Sequence, residues 1–287
     1  MFKTRLISGA VLTIILTGML VFGGYVLSGM TLLLSLIAYR ELMKTCKLSG
    51  YTKKQPENEG VSNALFCFSA MELIGYIGII GYYLIMVFVD DRIYLLVALF
   101  GVLMAFMALY VLTFPKLNSR QIMMSFFNFI YGPIMLTFIY MTRCLPNGEY
   151  AVWMIFISSW ICDTAAYCVG MLIGKHKLAP ILSPKKSIEG AVGGVVGSAL
   201  VGGLVSYFVF APRIEMENVT LWFTIIAAVG AIISQIGDLA ASGIKRNEEI
   251  KDYGKLIPGH GGVMDRFDSV IFTAPIIYFL TYLLLRG

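Results

Sequence analysis

The chain has 287 residues, of which 58% are hydrophobic and 14% are charged, and its mean hydropathy is +0.81. Apolar runs of about 20 residues recur along it, and the polar segments between them are too short to form a separate soluble domain. An outer-membrane barrel is excluded as well, because its strands would alternate over about ten residues each. We therefore expect an all-α, polytopic integral membrane protein.

Nine transmembrane helices are predicted from the apolar runs. In chain order they cover residues 7–22, 24–39, 63–89, 93–114, 122–141, 151–174, 190–210, 219–243 and 264–285. Gly23 and Gly24 form the natural break between the first two, since residues 7–39 are too long for one upright span and short for two. A single tilted helix over that stretch is the alternative.

The distribution of Lys and Arg predicts the orientation of the spans. With the amino terminus in the cytoplasm, 17 of the 22 basic residues fall on the cytoplasmic side and four on the other, while Arg266 lies at a helix start. Cytoplasmic loops are enriched in Lys and Arg, so this asymmetry supports the predicted topology. Nucleic acid is not expected as a partner, because the aromatic residues lie within apolar spans instead of on an exposed stacking surface.

The sixth predicted span carries Asp163, Thr164 and Tyr167. Asp163 lies about 18 Å along the helix from Lys175, which is near the middle of the bilayer. An ionisable group there costs roughly 2.5–3.5 kcal/mol, so such acids usually line a hydrophilic site. The alternative is a buried acid paired with a helix-packing donor.

A second polar segment runs from Ser183 to Gly194. It combines a predicted turn, two positive charges and two capping side chains at Pro184, Lys185, Lys186, Ser187 and Glu189. Such a helix start presents backbone N–H groups and positive charge to a phosphate. The alternative is a basic loop followed by a packing helix, whose close-approach residues would be Gly190, Gly193, Gly194 and Gly197.

Three aspartates, Asp238, Asp265 and Asp268, form a third group, and the last two project from one helix face. Because three carboxylates repel one another, a divalent cation such as Mg²⁺ or Mn²⁺ is the simplest neutraliser. The alternative is a structural network of these acids with nearby Lys and Arg. His260 lies among glycines and is expected to position a phosphate or the backbone, with a flexible turn as the alternative.

The segment from Ser242 to Asp268 matches the pattern S-x-φ-K-R-x4-K-D-x-G-x2-φ-P-x-H-G-G-φ-x-D-R-φ-D, where φ is apolar. This pattern resembles that of the phosphatidate cytidylyltransferase, or CDP-diglyceride synthetase, family. The resemblance is strongest over residues 160–285. It implies transfer of a cytidylyl group from CTP to phosphatidate, which gives CDP-diacylglycerol and pyrophosphate and requires Mg²⁺.

The resemblance also implies roles for three sets of residues. The metal ligands would be Asp238, Asp265 and Asp268. The catalytic groups that grip phosphates or position the reactants would be Lys245, Arg246, Lys251, Asp252, His260 and Arg266. The nucleotide or lipid headgroup would be positioned by Asp163, Thr164, Tyr167, Ser183, Lys186, Ser187 and Glu189.

Mg²⁺ is thus the expected cofactor, with Mn²⁺ as an alternative and a second, monovalent cation left open. CTP and phosphatidate are the expected partners, and small-residue spacing in the seventh span permits a homodimer. The expected location is the plasma membrane, with the active site at its cytoplasmic face. Residues 1–150 would serve packing and lipid access, and residues 151–287 catalysis, within one integrated domain.

Two alternatives to this function remain open. One is a cytidylyltransferase that acts on a different lipid phosphate, because apolar residues say little about the chemistry of the lipid tails. The other is a multipass ion transporter, since intramembrane acids also form ion pathways.

Overall fold

The computed structural model describes residues 2–48, 69–257, 259 and 261–284. The predicted site residue His260 and the start of the third predicted span, residues 63–68, lie outside the described residues. Apart from one short β-hairpin, the regular structure of the described chain is helical.

Nine helices follow one another along the described parts of the chain. Their bounds are α1 Phe2–Phe22, α2 Gly24–Thr45, α3 Ala70–Phe88, α4 Ile93–Thr113, α5 Ser119–Arg143, α6 Gly148–Ile173, α7 Ile188–Arg213, α8 Val219–Asn247 and α9 Met264–Leu284. The last eight are long and apolar enough to cross a membrane, whereas the apolar part of α1, Gly9–Phe22, is shorter. The prediction of a helical multi-span membrane protein is confirmed, and its count is confirmed for eight spans.

The first two helices are separated at the predicted glycine pair. Gly23 has a φ of 60° and Gly24 a φ of 48°, a left-handed conformation that residues with a Cβ rarely adopt. The first helix therefore ends at Phe22, and the structure has the two predicted helices here and not the single tilted helix that was the alternative.

Three of the spans contain a π-helical turn and are longer than predicted. The turns are Ile130–Ile134 in α5, Ile157–Ile161 in α6 and Ser206–Phe210 in α7. Pro133 has no backbone N–H to donate to the α-helical ladder, which gives the first of these turns a local cause. The three spans cover 25 or 26 residues each.

An antiparallel hairpin connects α6 to α7 and is missing from the prediction. Strand β1, Lys177–Ala179, pairs with strand β2, Ser183–Ser187. Pro184, which was expected to fix a turn, lies within β2 instead. A two-stranded sheet has only edge strands, so the missing N–H of a proline is tolerated there. The all-α prediction holds for the spans and fails for this loop.

The small residues of α7 pack against α6 in the same chain. A Cβ added at Gly190 would lie 2.7 Å from the carbonyl oxygen of Ala166, and one at Gly194 would lie 2.9 Å from that of Cys162. Backbone therefore meets backbone, which is the close approach that the glycine spacing predicts. The glycine face of α7 is thus covered within the chain.

Five helix ends meet at one end of the bundle, which we call the site end. The hairpin links the end of α6 to the start of α7, and its Lys186 contacts Asp238 of α8. The start of α9 packs on α8 and is bonded to Glu41 near the end of α2. The site end therefore gathers α2, α6 and α8 where they finish and α7 and α9 where they begin.

Candidate active site

Asp238 is the centre of a charged cluster at the site end. One of its oxygens pairs with the ammonium group of Lys186, and the other lies 3.5 Å from the hydroxyl of Ser242. Asp163 of α6 and Asp268 of α9 lie close enough to Asp238 for the three negative charges to act on one another. Three helices thus contribute one carboxylate each to the charged cluster.

Lys245 joins the two aspartates of α9. Its Nζ lies 3.2 Å from Asp265 Oδ1 and 3.9 Å from Asp268 Oδ2. The side chain of Lys245 is only 14% exposed, so this contact is poorly screened by water. Lys245 Nζ also lies over the ring of Tyr253, 5.3 Å from the ring centroid. The cluster therefore alternates acids with ammonium groups.

The positions of these side chains follow from helical geometry. Asp238 and Lys245 are seven residues apart on α8 and so project from the same face two turns from each other. Gly237 allows α9 to approach that face: an added Cβ would lie 2.9 Å from Phe272 Cβ and 3.0 Å from the carbonyl oxygen of Asp268. The close crossing of α8 and α9 holds Asp238 beside Asp268.

Asp265 holds the loop that precedes α9. Its Oδ2 accepts hydrogen bonds from the backbone N–H groups of Tyr253 at 2.8 Å and Gly262 at 2.9 Å. The hydroxyl of Tyr253 in turn donates to the carbonyl of Ala241 at 3.0 Å. Burial, together with the nearby acids, raises the pKa of Tyr253 well above its usual value, so this hydroxyl stays protonated. The other oxygen of Asp265, Oδ1, pairs with Lys245.

A cavity of about 540 Å³ adjoins Asp238 and is lined by residues of α6, the hairpin, α7 and α8. Its polar wall consists of Asp163, Lys177, Ser183, Lys185, Lys186, Ser187, Gln235 and Asp238. Its apolar edge includes Tyr167 and Met171, which are 66% and 67% exposed on the outside of the bundle. The cavity therefore joins a charged interior to an apolar surface.

The start of α7 is capped by Ser187 as predicted, whereas the predicted capping residue Glu189 bonds to the end of α6 instead. Ser187 Oγ accepts a hydrogen bond from the N–H of Gly190 at 3.1 Å. Glu189 accepts from the backbone N–H of Lys175 at 3.1 Å and contacts both the N–H and the Nδ1 of His176, the latter at 2.5 Å. Glu189 thus ties the end of α6 to the start of α7 and does not line the cavity.

Other predicted residues lie outside the cluster. Thr164 donates its hydroxyl to the carbonyl of Trp160 at 2.8 Å, within its own helix. Arg246, Lys251 and Asp252 are exposed, and no ion pair joins them to the aspartates within the described chain.

Arg266 belongs with the charged cluster, because its positive charge acts on Asp163. Of the sixteen residues predicted for the site, His260 has no described position. The structure therefore gathers predicted residues from α6, β2, α8 and α9 around Asp238 and the cavity.

Several residues at the site were not predicted. Lys177 and Gln235 line the cavity, and Gln235 Nε2 donates to the carbonyl of Ala191 at 2.9 Å. Tyr131 is buried, and its hydroxyl lacks a hydrogen-bond partner among the described residues although its surroundings include Asp238 and Asp268. A polar side chain within an apolar span was the available signal for Tyr131 and Gln235.

The oxygen donors of the charged cluster suit Mg²⁺, and metal binding by this cluster stays a prediction. In the described part of the chain, no three acidic, histidine or cysteine side chains converge closely enough to hold an ion by themselves. Mg²⁺ commonly uses only one or two protein carboxylates and completes its shell with water and substrate phosphates. Asp238 and Asp268 interact electrostatically and are both partly accessible, so they fit that requirement.

The sequence matches known proteins over nearly its whole length. The sequence model of the cytidylyltransferase family matches residues 3–284. A phosphatidate cytidylyltransferase of Staphylococcus saprophyticus subsp. saprophyticus is 31% identical over 286 residues, 97% of this chain and 98% of that protein. Phosphatidate cytidylyltransferases of Staphylococcus haemolyticus and Staphylococcus aureus are each 39% identical, over 50% and 52% of this chain and 53% and 55% of those proteins.

These matches confirm the resemblance inferred from the segment Ser242 to Asp268. They extend it from the site to the amino-terminal helices, since the family match begins at residue 3. A match of this extent establishes the class of reaction as transfer of a nucleotidyl group. The chain belongs to the cytidylyltransferase family.

Proposed function

We propose that this protein transfers a cytidylyl group from CTP to phosphatidate, which forms CDP-diacylglycerol and releases pyrophosphate. The observation that carries the proposal is the meeting of Asp163, Asp238 and Asp268 with Lys186 and Lys245 beside a cavity that reaches the apolar surface. The names of the relatives support the choice of phosphatidate as the acceptor.

The reaction brings two anions together. A phosphate oxygen of phosphatidate forms a bond to the α-phosphorus of CTP, and the bond from that phosphorus to the bridging oxygen of the β-phosphate breaks. The phosphate nucleophile is already ionised at neutral pH, so no general base is required. What the protein must supply is position and positive charge, as in other phosphoryl transfers.

We assign the metal to Asp238 and Asp268, with water and substrate phosphates completing its shell, while Asp163 and Asp265 would add negative charge around it. Mg²⁺, with Mn²⁺ as an alternative, would supply charge neutralisation for the two anionic reactants when bound. A second, monovalent cation is compatible with the remaining negative charge. The second oxygen of Asp265 keeps the loop before α9 in place through Tyr253 and Gly262.

The basic residues would bind the phosphates. Lys177, Lys185 and Lys186 line the cavity and provide three ammonium groups on its hairpin side. Lys245 and Arg266 provide positive charge on the side of α9. The cavity volume of about 540 Å³ is in the range of small-molecule sites. The apolar edge of the cavity at Tyr167 and Met171 suits acyl chains that remain outside the cavity.

We also propose the orientation that the charge distribution predicts. All nine helices would cross the plasma membrane, with the amino terminus and the site end in the cytoplasm, where CTP is found. Residues 1–150 would serve packing and lipid access around the catalytic helices. A homodimer stays part of the proposal, and it would need a face other than the glycine face of α7, which α6 covers. No nucleic-acid partner is proposed.

Pyrophosphate release by the purified full-length protein tests the proposal. We expect release that requires both CTP and phosphatidate and stops when EDTA removes divalent cations. Asp238→Asn should lower the rate at least 100-fold, because one charge at the centre of the cluster is lost. The control is Glu149→Gln, which changes an acid that is half-exposed beside Arg143.

Two outcomes would contradict the proposal. Release that depends on a different lipid phosphate but not on phosphatidate would support the alternative acceptor. CTP-independent ion flux in liposomes, with no pyrophosphate release for any lipid phosphate, would support the transporter.

A further inference from the structure

Glu41 connects the amino-terminal helices to the start of α9. Its Oε1 accepts a hydrogen bond from the N–H of Val263 at 3.1 Å, and its Oε2 accepts one from the N–H of Met264 at 2.8 Å. These partners are 222 and 223 residues away along the chain. The carboxylate is buried, since Glu41 is 7% exposed.

The surrounding backbone leaves space for this carboxylate. A Cβ added at Gly262 would lie 2.4 Å from Glu41 Oε1, and one at Gly254 would lie 2.3 Å from the same atom. Glycines on both sides of the loop therefore let its backbone approach the oxygens. A side chain at either position would displace the carboxylate or the loop.

The bonds of Glu41 satisfy backbone groups that a helix start leaves without partners. The first N–H groups of a helix have no acceptor within it, and a negative charge near them is favoured by the helix dipole. The next residues of the same helix are Asp265, Arg266 and Asp268. Whatever fixes the first turn of α9 also fixes those side chains.

We propose that Glu41 is a positioning residue for the transfer reaction. It holds the first turn of α9 in place beside Gly254 and Gly262, so that Asp265 and Asp268 keep their places opposite Lys245. This inference rests on the proposed function, because it gives those aspartates their roles. It also gives the amino-terminal helices a part in the site, although none of their described residues lines the cavity.

Glu41→Gln tests the inference while keeping the size of the side chain. An amide has one acceptor oxygen and would turn an NH₂ group toward one of the two backbone N–H groups. The matched control is Glu72→Gln, since Glu72 is 1% exposed and its carboxylate also caps a helix, accepting from the N–H of Ser69 at 2.9 Å at the start of α3. Both variants weaken a buried cap, but only one cap contacts the site.

Two readouts are measured on full-length protein in detergent. Hydrogen–deuterium exchange of peptides that cover residues 253–268 should be at least tenfold faster in Glu41→Gln and unchanged in Glu72→Gln. The kcat for CTP and phosphatidate should fall about 10- to 100-fold in Glu41→Gln, a loss typical of residues that orient a metal ligand. In Glu72→Gln, kcat per folded molecule should stay within twofold of the wild type.

A shorter side chain provides the second test. Glu41→Asp keeps the charge but shortens the reach, so its exchange rate and kcat should lie between those of the wild type and Glu41→Gln. It also replaces Glu41→Gln in both assays if that variant does not fold.

Wild-type exchange at residues 253–268 in both Glu41 variants would overturn the inference, and so would equal losses of kcat in Glu41→Gln and Glu72→Gln. A wild-type protein inactive with phosphatidate would overturn the proposed function instead. The exchange measurement would then still decide whether Glu41 holds α9.

Discussion

Gly237→Ala should separate two aspartates that the site needs side by side. The added methyl carbon would lie 2.9 Å from Phe272 Cβ and 3.0 Å from the carbonyl oxygen of Asp268. Carbon atoms in good contact are about 3.5–4.0 Å apart, so α9 must move away from α8 by roughly half an ångström or more. Asp238 is the next residue along α8, and Asp268 moves with α9.

The energetic cost can be estimated from two opposing effects. Alanine is better than glycine inside a helix by about 1 kcal/mol. Overpacking a close helix contact costs typically about 1–3 kcal/mol. We therefore expect a net destabilisation between zero and about 2 kcal/mol, which leaves the protein folded. Because a displacement of about 1 Å at a reacting centre can cost about 100-fold, kcat should fall about tenfold or more.

Gly243→Ala is the matched control for this prediction. It lies on the same helix, but its added Cβ would be 3.6 Å from the nearest atom, a methyl carbon of Leu182, which is ordinary contact. Thermal unfolding and pyrophosphate release are measured for both variants in the same detergent. If Gly237→Ala keeps the kcat of Gly243→Ala, the close crossing of α8 and α9 does not set the position of the aspartates.

Three further predictions follow from contacts in the site. Lys186→Met should raise the KM for CTP at least tenfold and leave Asp238 without its ammonium partner, while the exposed Lys116→Met should leave the KM unchanged in the same titration. Tyr253→Phe should lower the free energy of unfolding by about 0.5–1.5 kcal/mol, because the hydrogen bond to the carbonyl of Ala241 is lost. Chemical denaturation measures this free energy, and an unchanged value would contradict a stabilising role for the bond. The pKa of Tyr253 is raised in the folded state, so above the ordinary tyrosine value of about 10 the unfolded chain loses the Tyr253 proton before the folded chain does. Deprotonation then favours the unfolded state. Above a pH of about 10, the melting temperature of the wild type should therefore fall more steeply with pH than the melting temperature of Tyr253→Phe.

The sequence predicted the spans well because hydropathy is a property of each segment alone. The break at Gly23 and the cap at Ser187 are also local, and the structure confirms both. The hairpin is a different case. Only nine residues separate Gly174 from Pro184, and the Pro–Lys–Lys run indicates a turn unless the pairing with β1 is known.

The charged cluster was predicted from composition and pattern, but the separate tasks of its members were not. Asp265 and Asp268 look alike in the sequence, yet one oxygen of Asp265 is committed to two backbone N–H groups. The role inferred for Glu41 depends on contacts more than 220 residues away. Periodicity places a residue on a helix face but does not say which distant segment that face meets.

The bare contact between α6 and α7 has a consequence for protein engineering. Where Gly190 and Gly194 meet the backbone of α6, no side chain can be shortened to widen the cavity, and a larger residue would push α6 and α7 apart. The spacing of these two helices therefore depends on the glycines. Attempts to admit bulkier lipids should instead begin at the rim, where Tyr167 and Met171 face outward and have room to vary.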